Sequence, residues 1–276
     1  MTLERVDVRP ALPMLLSTLS DKDLQWVMST LQRVELRAGA VIQDTTNPVE
    51  YGYFVESGVI STQATTREGK TIEVAAIGPE GFLGLPLLTE FQAPSLQAIV
   101  QVSGAALRIT VTELRRMMSQ SRAFERALLR YACFCGAEAG QLAACSAMHQ
   151  MQSRLARWLL MIQHRVDRQE LAVTHDSIAQ VLGTNRATVS LSAEALKRAG
   201  LIHYARGRLR ICDRIGLQSV ACDCYELLSR LLESFRTAEL LHQNDGDGVK
   251  RLSAIGAPPE QAKVQSYDQS KHLSRL

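Results

Sequence analysis

The sequence lacks any long hydrophobic run. No stretch of about 18 or more apolar residues is free of charge, so a transmembrane helix is not predicted. The first apolar cluster, Leu12 to Leu16, contains Pro13 and is too short for the core of a signal peptide. With 276 residues, of which 46% are hydrophobic and 21% charged, the chain can bury the cores of about two soluble domains. We therefore expect a cytoplasmic protein without membrane contact.

The local signatures of common enzyme classes are also missing. The chain contains no paired-carboxylate motif, nucleophile elbow, phosphate-binding loop or zinc-ligand spacing. Internal repeats are absent as well. These absences predict a protein that is not an enzyme and that has no catalytic residue, no cofactor and no metal site.

The net charge of +3 is small, but it is unevenly distributed. From Gln150 to Ile211 the chain has ten basic and four acidic residues, a net charge of +6, whereas residues 1 to 149 carry −2. A basic module joined to a slightly acidic one is typical of a protein that binds a phosphate backbone through one domain. The alternative is a solvated basic surface without a partner.

Residues 12 to 118 combine a helix with a series of short strands. Residues 12 to 34 have helical periodicity, with Ser20 or Asp21 as the N-cap. Short apolar runs then alternate with glycine-containing turns, which are predicted at residues 56–58, 68–70 and 103–104. Short strands at regular spacing favour an antiparallel barrel or jelly roll. The expected fold class is α+β, with an N-terminal β-roll that serves as a sensor domain.

A long helix is predicted over residues 119–149, where proline is absent. Its apolar residues fall on one helical stripe, formed by Phe124, Leu128, Tyr131, Cys135, Ala139 and Leu142. Many of the neighbouring residues are Ala or Gly, which would allow a second backbone to approach closely. We therefore predict a dimerisation helix with this stripe as its seam. The alternative is that the helix packs only on its own barrel.

The most specific segment runs from Thr174 to Ile202 and has the pattern of two helices joined by a tight turn. Thr174 caps the first helix, Gly183 ends it, and a second helix follows from Arg186 to Arg198. In such a pair the first helix braces on the DNA backbone and the second presents side chains to base edges in the major groove. The predicted DNA-binding residues here are Thr174, Thr184, Asn185, Arg186, Ala187, Thr188, Ser190, Leu191 and Lys197.

A basic hairpin follows the two helices. Residues 201–204 and 209–211 have the pattern of strands, and the turn between them is flanked by Arg206 and Arg208, which would contact phosphate. This predicts a winged helix-turn-helix that binds double-stranded DNA, within a domain that spans residues 150–235 and ends in a helix around Ala221 to Phe235. The remaining residues, 236–276, are rich in small and polar types and are predicted to form a disordered tail.

This order of elements resembles the Crp/Fnr superfamily, the cyclic-AMP receptor protein and its relatives. The resemblance covers about Leu12 to Phe235. The segment from Gly78 to Gly84 matches the family's entry to its ligand pocket, and the segment from Gln152 to Leu160 matches the helix before its DNA-binding motif. The resemblance implies a homodimer on a two-fold symmetric, palindromic operator and contact with RNA polymerase. It also leaves room for a small-molecule effector.

The pocket departs from the family's pattern. The resemblance places it at Gly81, Phe82, Gly84, Leu85 and Ser95. Members that bind cyclic nucleotides have a Glu after the pocket glycine, which holds the ribose, and a later Arg before Ser or Thr, which neutralises the phosphate. Here Leu85 follows Gly84, and Pro94 precedes Ser95. Leucine cannot accept a hydrogen bond, and the phosphate would be buried unpaired. Tight cyclic-AMP binding is therefore not expected.

The recognition helix departs as well. Arg186 matches the first residue of the family's Arg-Glu pair, but Ala187 and Leu191 stand where the Glu and a second Arg are found. Arg186 can contact a guanine, and Thr188 or Ser190 a base or phosphate. Ala187 or Leu191 can contact a thymine methyl. We therefore expect an operator that differs from the family's standard one.

The six cysteines invite a redox or metal-binding interpretation; they are Cys133, Cys135, Cys145, Cys212, Cys222 and Cys224. An oxygen-sensing branch of the family holds an iron-sulfur cluster with N-terminal cysteines, but none precedes Cys133 here. Each Cys-x-Cys pair would place two thiols about 200° apart on a helix, a poor geometry for one ion. Buried, inert cysteines are therefore favoured. The alternative function is an effector-binding or redox-sensing module with degenerate DNA binding.

Overall fold

The computed structural model describes residues 12–89, 96–166 and 170–244. The helices are α1 (Asp21–Thr30), α2 (Val111–Gln120), α3 (Arg122–Met148), α4 (Met151–Val166), α5 (His175–Leu182), α6 (Arg186–Arg198), α7 (Arg214–Val220) and α8 (Cys224–Asn244). The strands are β1 (Gln32–Leu36), β2 (Val41–Gln43), β3 (Tyr51–Thr65), β4 (Thr71–Ile77), β5 (Phe82–Leu83), β6 (Gln97–Thr110), β7 (Glu170–Ala172), β8 (Ile202–Ala205) and β9 (Arg208–Ile211).

The N-terminal strands form the predicted antiparallel β-roll. The order in the sheet is β1-β6-β3-β4, and β2 and β5 pair with β6 and β3 respectively. A second, three-stranded sheet, β7-β9-β8, belongs to the C-terminal winged helix. The α+β fold class is confirmed. β7 was not predicted, because a strand of three residues gives almost no periodicity.

Two of the three predicted turns in the β-roll are bulges inside long strands. Residues 56–58 lie within β3 and residues 103–104 within β6, and the register between these strands shifts at this point. Gly58 has φ +85°, and a Cβ on Gly104 would overlap the carbonyl oxygen of Ser57. Glycine is required there because the backbones approach closely, not because the chain reverses. The third turn is confirmed, since Gly69 (φ +77°) joins β3 to β4.

The predicted helix over residues 12–34 is shorter than expected. Ser20, rather than Asp21, is the N-cap of α1, and its hydroxyl oxygen accepts a hydrogen bond from the backbone N–H of Asp23 at 3.2 Å. A single 3-10 turn, Leu16–Thr18, precedes the cap, and β1 begins at Gln32. The capping signal was therefore a better guide to the start of the helix than the apolar pattern was to its length.

The apolar stripe of α3 faces its own chain, so its assignment to a dimer seam is wrong. Phe124, Leu128 and Tyr131 are at most 1% exposed and pack in the β-roll core. Leu142 packs with residues of α4 and α8. The other two stripe residues line a cavity, described below. Helical periodicity identified a buried face correctly, but it could not say which chain buries it.

The final helix is longer than expected. α8 continues to Asn244, nine residues beyond the predicted end at Phe235. Phe235 stacks against Phe134 of α3, with ring centroids 5.0 Å apart. The prediction of a disordered tail is therefore wrong for residues 236–244. The rest of that segment lies outside the described residues.

α4 joins the β-roll to the winged helix. Leu155 and Leu159 belong to one buried cluster with Val59 and Val102 of the sheet and with the core of the helix-turn-helix. The two regions therefore share a hydrophobic core.

A buried charge network crosses the same junction. Arg165 of α4 donates hydrogen bonds of 2.7 Å to Glu80 in the β-roll and to Glu138 of α3. All three side chains are at most 4% exposed. Burial raises the pKa of Glu138 to about 7, and the nearby Glu80 adds to this while Arg165 opposes it. The position of α4 therefore depends on an ion pair that would be costly to break.

Candidate nucleic-acid interface

The first helix of the motif, α5, has a defined signal at each end. Thr174 accepts a hydrogen bond from the backbone N–H of Ser177 at 3.1 Å, and the Ser177 side chain in turn accepts one from the backbone N–H of Thr174. This capping box fixes the helix start. Gly183 adopts a left-handed conformation (φ +63°) and ends the helix. The angle to the next helix is thus set locally.

The second helix, α6, begins at a side-chain cap. The Oδ1 atom of Asn185 accepts hydrogen bonds from the backbone N–H of Thr188 at 2.9 Å and from its hydroxyl at 3.0 Å. The predicted contact role of Asn185 is therefore accompanied by a structural one. Val189, Ala193 and Leu196 are buried in the core shared with α4 and α5. The opposite face of α6 is left open.

The open face of α6 carries the predicted base-reading residues. Arg186, Ala187 and Leu191 are exposed, and Leu191 is 74% exposed although it is a large apolar residue. The guanidinium of Arg186 lies 3.7 Å from the carboxylate of Asp176, and both side chains are about two-thirds exposed. Such a loose surface pair contributes little to stability. Arg186 is therefore free to exchange this partner for a base edge or a phosphate.

A histidine that the sequence reasoning missed supports this face. The Nδ1 atom of His175 lies 2.8 Å from the hydroxyl of Ser190, and its ring stacks on Tyr204 of β8 with centroids 4.4 Å apart. Burial and the charge of Arg186 lower the pKa of His175, which favours the neutral ring. His175 therefore ties α5, α6 and the wing together. Its position directly after the cap residue Thr174 was the only available signal.

The wing has the predicted basic tip. β8 and β9 are joined by Arg206 (φ +50°) and Gly207 (φ +74°), two residues with positive φ, as a tight hairpin turn requires. Arg206 and Arg208 are exposed, and Arg208 lies 3.7 Å from Glu170. The turn conformation directs both arginines toward solvent at the end of the hairpin.

The remaining predicted contact residues, Lys197, Thr184 and Thr174, lie at three different places in the motif. Lys197 is exposed in the last turn of α6, about 16 Å along the helix axis from Arg186. At that end its charge complements the helix dipole. Thr184 is half-buried in the turn before α6, and Thr174 is exposed at the start of α5. The structure thus brings together the residues at the start of α6 and separates Lys197 from them.

The predicted effector pocket corresponds to a cavity of about 410 Å³ between the β-roll and α3. Phe82, Gly84 and Leu85 line it. Gly81 instead lies against α3, where a Cβ would overlap the hydroxyl of Tyr131. Ser95 lies outside the described residues.

The described lining of this cavity is almost entirely apolar. Its polar side chains are Gln43, Thr62, Thr89 and Cys135, and none of the described lining residues carries a formal charge at neutral pH. Burial raises the pKa of Cys135 to about 12, so its thiol stays neutral. The cavity is therefore suited to an uncharged ligand.

The six cysteines lie in three kinds of environment. Cys133 and Cys212 are exposed, and Cys135 lines the cavity, whereas Cys145, Cys222 and Cys224 are buried together. The prediction that each Cys-x-Cys pair lies on one helix is wrong for Cys222 and Cys224. Residue 222 precedes α8 and residue 224 begins it, so their thiols can share a metal site. The hydrogen bond between Cys145 and Cys222 lowers the pKa of the first thiol and raises the pKa of the second.

Each of the two regions matches a known protein family. Residues 33–121 match the cyclic nucleotide-binding domain family, and residues 153–220 match the Crp-like helix-turn-helix domain family. Together these matches cover more than half of the chain. None of the helices in the described ranges combines the length and apolar composition needed to cross a bilayer.

Similar whole proteins have the same architecture. The transcriptional regulator SdrP of Thermus thermophilus is 25% identical over 198 residues, which is 69% of this chain and 94% of SdrP. A protein of Eubacterium rectale assigned to the crp/fnr family superposes with a TM-score of 0.61 at 18% identity, over 75% of this chain and 96% of that one. FixK2 of Bradyrhizobium japonicum superposes with a TM-score of 0.59 at 18% identity, over 70% of this chain and 98% of FixK2. With both domain families present in this order, the chain belongs to the Crp/Fnr family of transcription regulators.

Proposed function

We propose that this regulator acts as a homodimer, binds a palindromic operator through α6 and the wing, and does so without cyclic AMP. The observation that carries the proposal is the open face at the start of α6, where Arg186, Ala187 and Leu191 are exposed, in a domain whose wing also exposes Arg206 and Arg208. Contact with RNA polymerase and a cytoplasmic location are part of the proposal and rest on the family alone.

A second face of α3 supports dimerisation. Its exposed residues recur at alternating steps of three and four, as in a coiled-coil seam: Arg126, Leu129, Cys133, Gly136, Gly140, Ala143 and Ala147. Leu129 is 52% exposed, and a Cβ on Gly136 or Gly140 would meet no atom of the same chain within 4 Å. Another helix can therefore approach this face closely. A two-fold axis along it would present two copies of α6 to half-sites about 34 Å apart.

The cavity supports independence from cyclic AMP. Leu85 and Pro86 occupy a 3-10 turn at its rim, where the family's ribose-binding carboxylate is found. The described lining supplies no cation for a cyclic phosphate, and an unpaired buried charge is costly. We infer that an effector, where one acts, is uncharged and largely apolar.

The experiment that tests the proposal is selection of bound genomic fragments by the purified full chain at a stated salt concentration. Wild type is compared with Arg186→Ala and with Arg37→Ala, which removes an arginine that is 79% exposed in the β-roll. We expect wild type and Arg37→Ala to recover one palindromic sequence. Arg186→Ala should lose about 1–3 kcal/mol of binding free energy, with relaxed preference at one base pair.

The proposal fails if wild type enriches no sequence, a result that would favour a sensor module with degenerate DNA binding. It also fails if the enriched sites have no two-fold symmetry.

A further inference from the structure

Four ligand-type side chains meet where α3 ends. Cys145, His149, Cys222 and Cys224 each offer a sulfur or nitrogen atom, and these atoms all lie within 4.8 Å of one another. Cys145 and Cys224 are 1% exposed and Cys222 is 8% exposed. This cluster is separate from the DNA-binding surface and from the effector cavity.

The fold brings these residues together from two distant segments. Cys145 and His149 are four residues apart, so they lie on one face at the end of α3. Cys222 lies between α7 and α8, and Cys224 is the first residue of α8. Because Cys222 is outside the helix, the two thiols of this pair can point to the same centre.

The distances fit a tetrahedral site. The Sγ atoms of Cys145 and Cys222 are 3.5 Å apart, and the Sγ of Cys224 is 3.5 Å from the Nδ1 of His149. A tetrahedral zinc ion with three sulfur ligands and one nitrogen ligand requires about 3.8 Å between sulfurs and about 3.6 Å between sulfur and nitrogen. A disulfide requires about 2.05 Å and would leave the other two side chains without a role.

Groups around the cluster orient its ligands. The Nε2 atom of His149 lies 3.2 Å from a carboxylate oxygen of Asp223, which leaves Nδ1 free to bind. A carboxylate on the far ring nitrogen is the usual partner of a metal-bound histidine. The side-chain amide of Gln141 donates a hydrogen bond of 3.1 Å to the Sγ of Cys224. The charges of Arg154 and Arg157 act on Cys145 and would offset the negative charge of three thiolates around a dication.

We propose that Cys145, His149, Cys222 and Cys224 bind one zinc-type divalent cation in a tetrahedral Cys3His site. The three thiols lose their protons to solvent when the ion binds, and the histidine binds as a neutral ring.

The proposed site lies at the break between α3 and α4. α3 ends at Met148 and α4 begins at Met151, so His149 lies in the break between the sensor side and the DNA-binding domain. One turn earlier, Ser146 accepts a hydrogen bond from Arg154, which also donates to the carbonyl of Leu182 at the end of α5. Metal binding would therefore hold the end of α3, which a short chain of hydrogen bonds connects to the helix-turn-helix.

The test measures metal directly, on the full chain purified without chelators. Elemental analysis should find about one zinc ion per chain. After replacement by Co²⁺, the spectrum should show a thiolate-to-cobalt charge-transfer band in the near ultraviolet and the intense visible bands of a tetrahedral ion.

Substitutions test which side chains bind the ion. Cys224→Ser and His149→Gln should weaken Co²⁺ binding by more than about 100-fold, and Asp223→Asn by about 10–100-fold. Asp223 is 77% exposed, so its replacement should leave the fold intact even where a cysteine variant does not fold. Cys212→Ser removes an exposed thiol outside the cluster and should bind Co²⁺ as wild type does.

Two results would overturn the proposal. One is wild-type protein that contains no metal and gives no Co²⁺ charge-transfer band. The other is equal loss of binding in Cys212→Ser and Cys224→Ser. A Cys145–Cys222 disulfide that forms in place of metal binding counts as the first result. Since these readouts do not involve DNA, they are independent of the proposed operator binding.

Discussion

The β-roll and the winged helix differ in the chemical character of the surfaces that they offer to ligands. A cavity whose described lining carries no charge lies between the β-roll and α3, whereas the winged helix exposes Arg186 on α6 and Arg206 and Arg208 on the wing. An apolar cavity suits an uncharged small molecule, and an exposed basic surface suits a polyanion. The two regions nevertheless share one hydrophobic core and one buried charge network. The difference lies in the surfaces that meet ligands, while the junction holds the regions as one unit.

The junction itself can be broken at Arg165. Arg165→Met would remove the ion-pair partner of the buried Glu138 and leave the buried Glu80 with Arg236, at 3.8 Å, as its remaining cation. We therefore expect a loss of about 3–5 kcal/mol in the free energy of unfolding. Denaturant titration measures this loss. Arg37→Met, at an exposed pair, is the matched control and should cost at most about 1 kcal/mol. Similar small losses in both variants would mean that the network does not hold the two regions together.

A substitution can test the proposed dimer face of α3 without changing the face that is buried in the same chain. Gly140→Leu adds a side chain where a Cβ meets no atom of the same chain, so the protomer should fold normally. The added bulk should keep a second helix away and weaken dimerisation by at least about tenfold, or 1.4 kcal/mol. Analytical ultracentrifugation at several concentrations measures the effect. An unchanged dimer would place the interface elsewhere.

Salt titration can distinguish the DNA contacts of the wing from those of α6. Arg206 should contact phosphate, so Arg206→Ala should weaken binding to all DNA sequences alike. The slope of log affinity against log salt should fall by about one unit, while base preference stays the same. Fluorescence anisotropy with the selected operator and a scrambled duplex measures both quantities. A change in base preference would show that Arg206 reads bases instead.

Local signals predicted the DNA-binding region better than the β-roll. The cap at Thr174 and the left-handed Gly183 act within a few residues of their own position, so their sequence pattern suffices. Gly58 and Gly104 are compatible with a turn or a bulge, and only the pairing of β3 with β6 decides between them.

Features that depend on distant contacts could not be predicted. The buried stripe of α3 was visible, but its partner was not, because one helix can bury one face in its own chain and another in a second chain. Likewise, Cys145 and Cys222 are 77 residues apart in sequence. Their meeting depends on how α8 packs against α3, which no spacing rule encodes.

Binding to DNA without cyclic AMP is tested most directly by the affinity of the purified wild-type protein for its selected operator, measured with and without cyclic AMP at one salt concentration. We expect specific binding without the nucleotide, about 10³-fold or more tighter than binding to a scrambled duplex, and no change when cyclic AMP is added. Specific binding that appears only with cyclic AMP would contradict this expectation, because the cavity would then accept a charged phosphate that its described lining cannot neutralise.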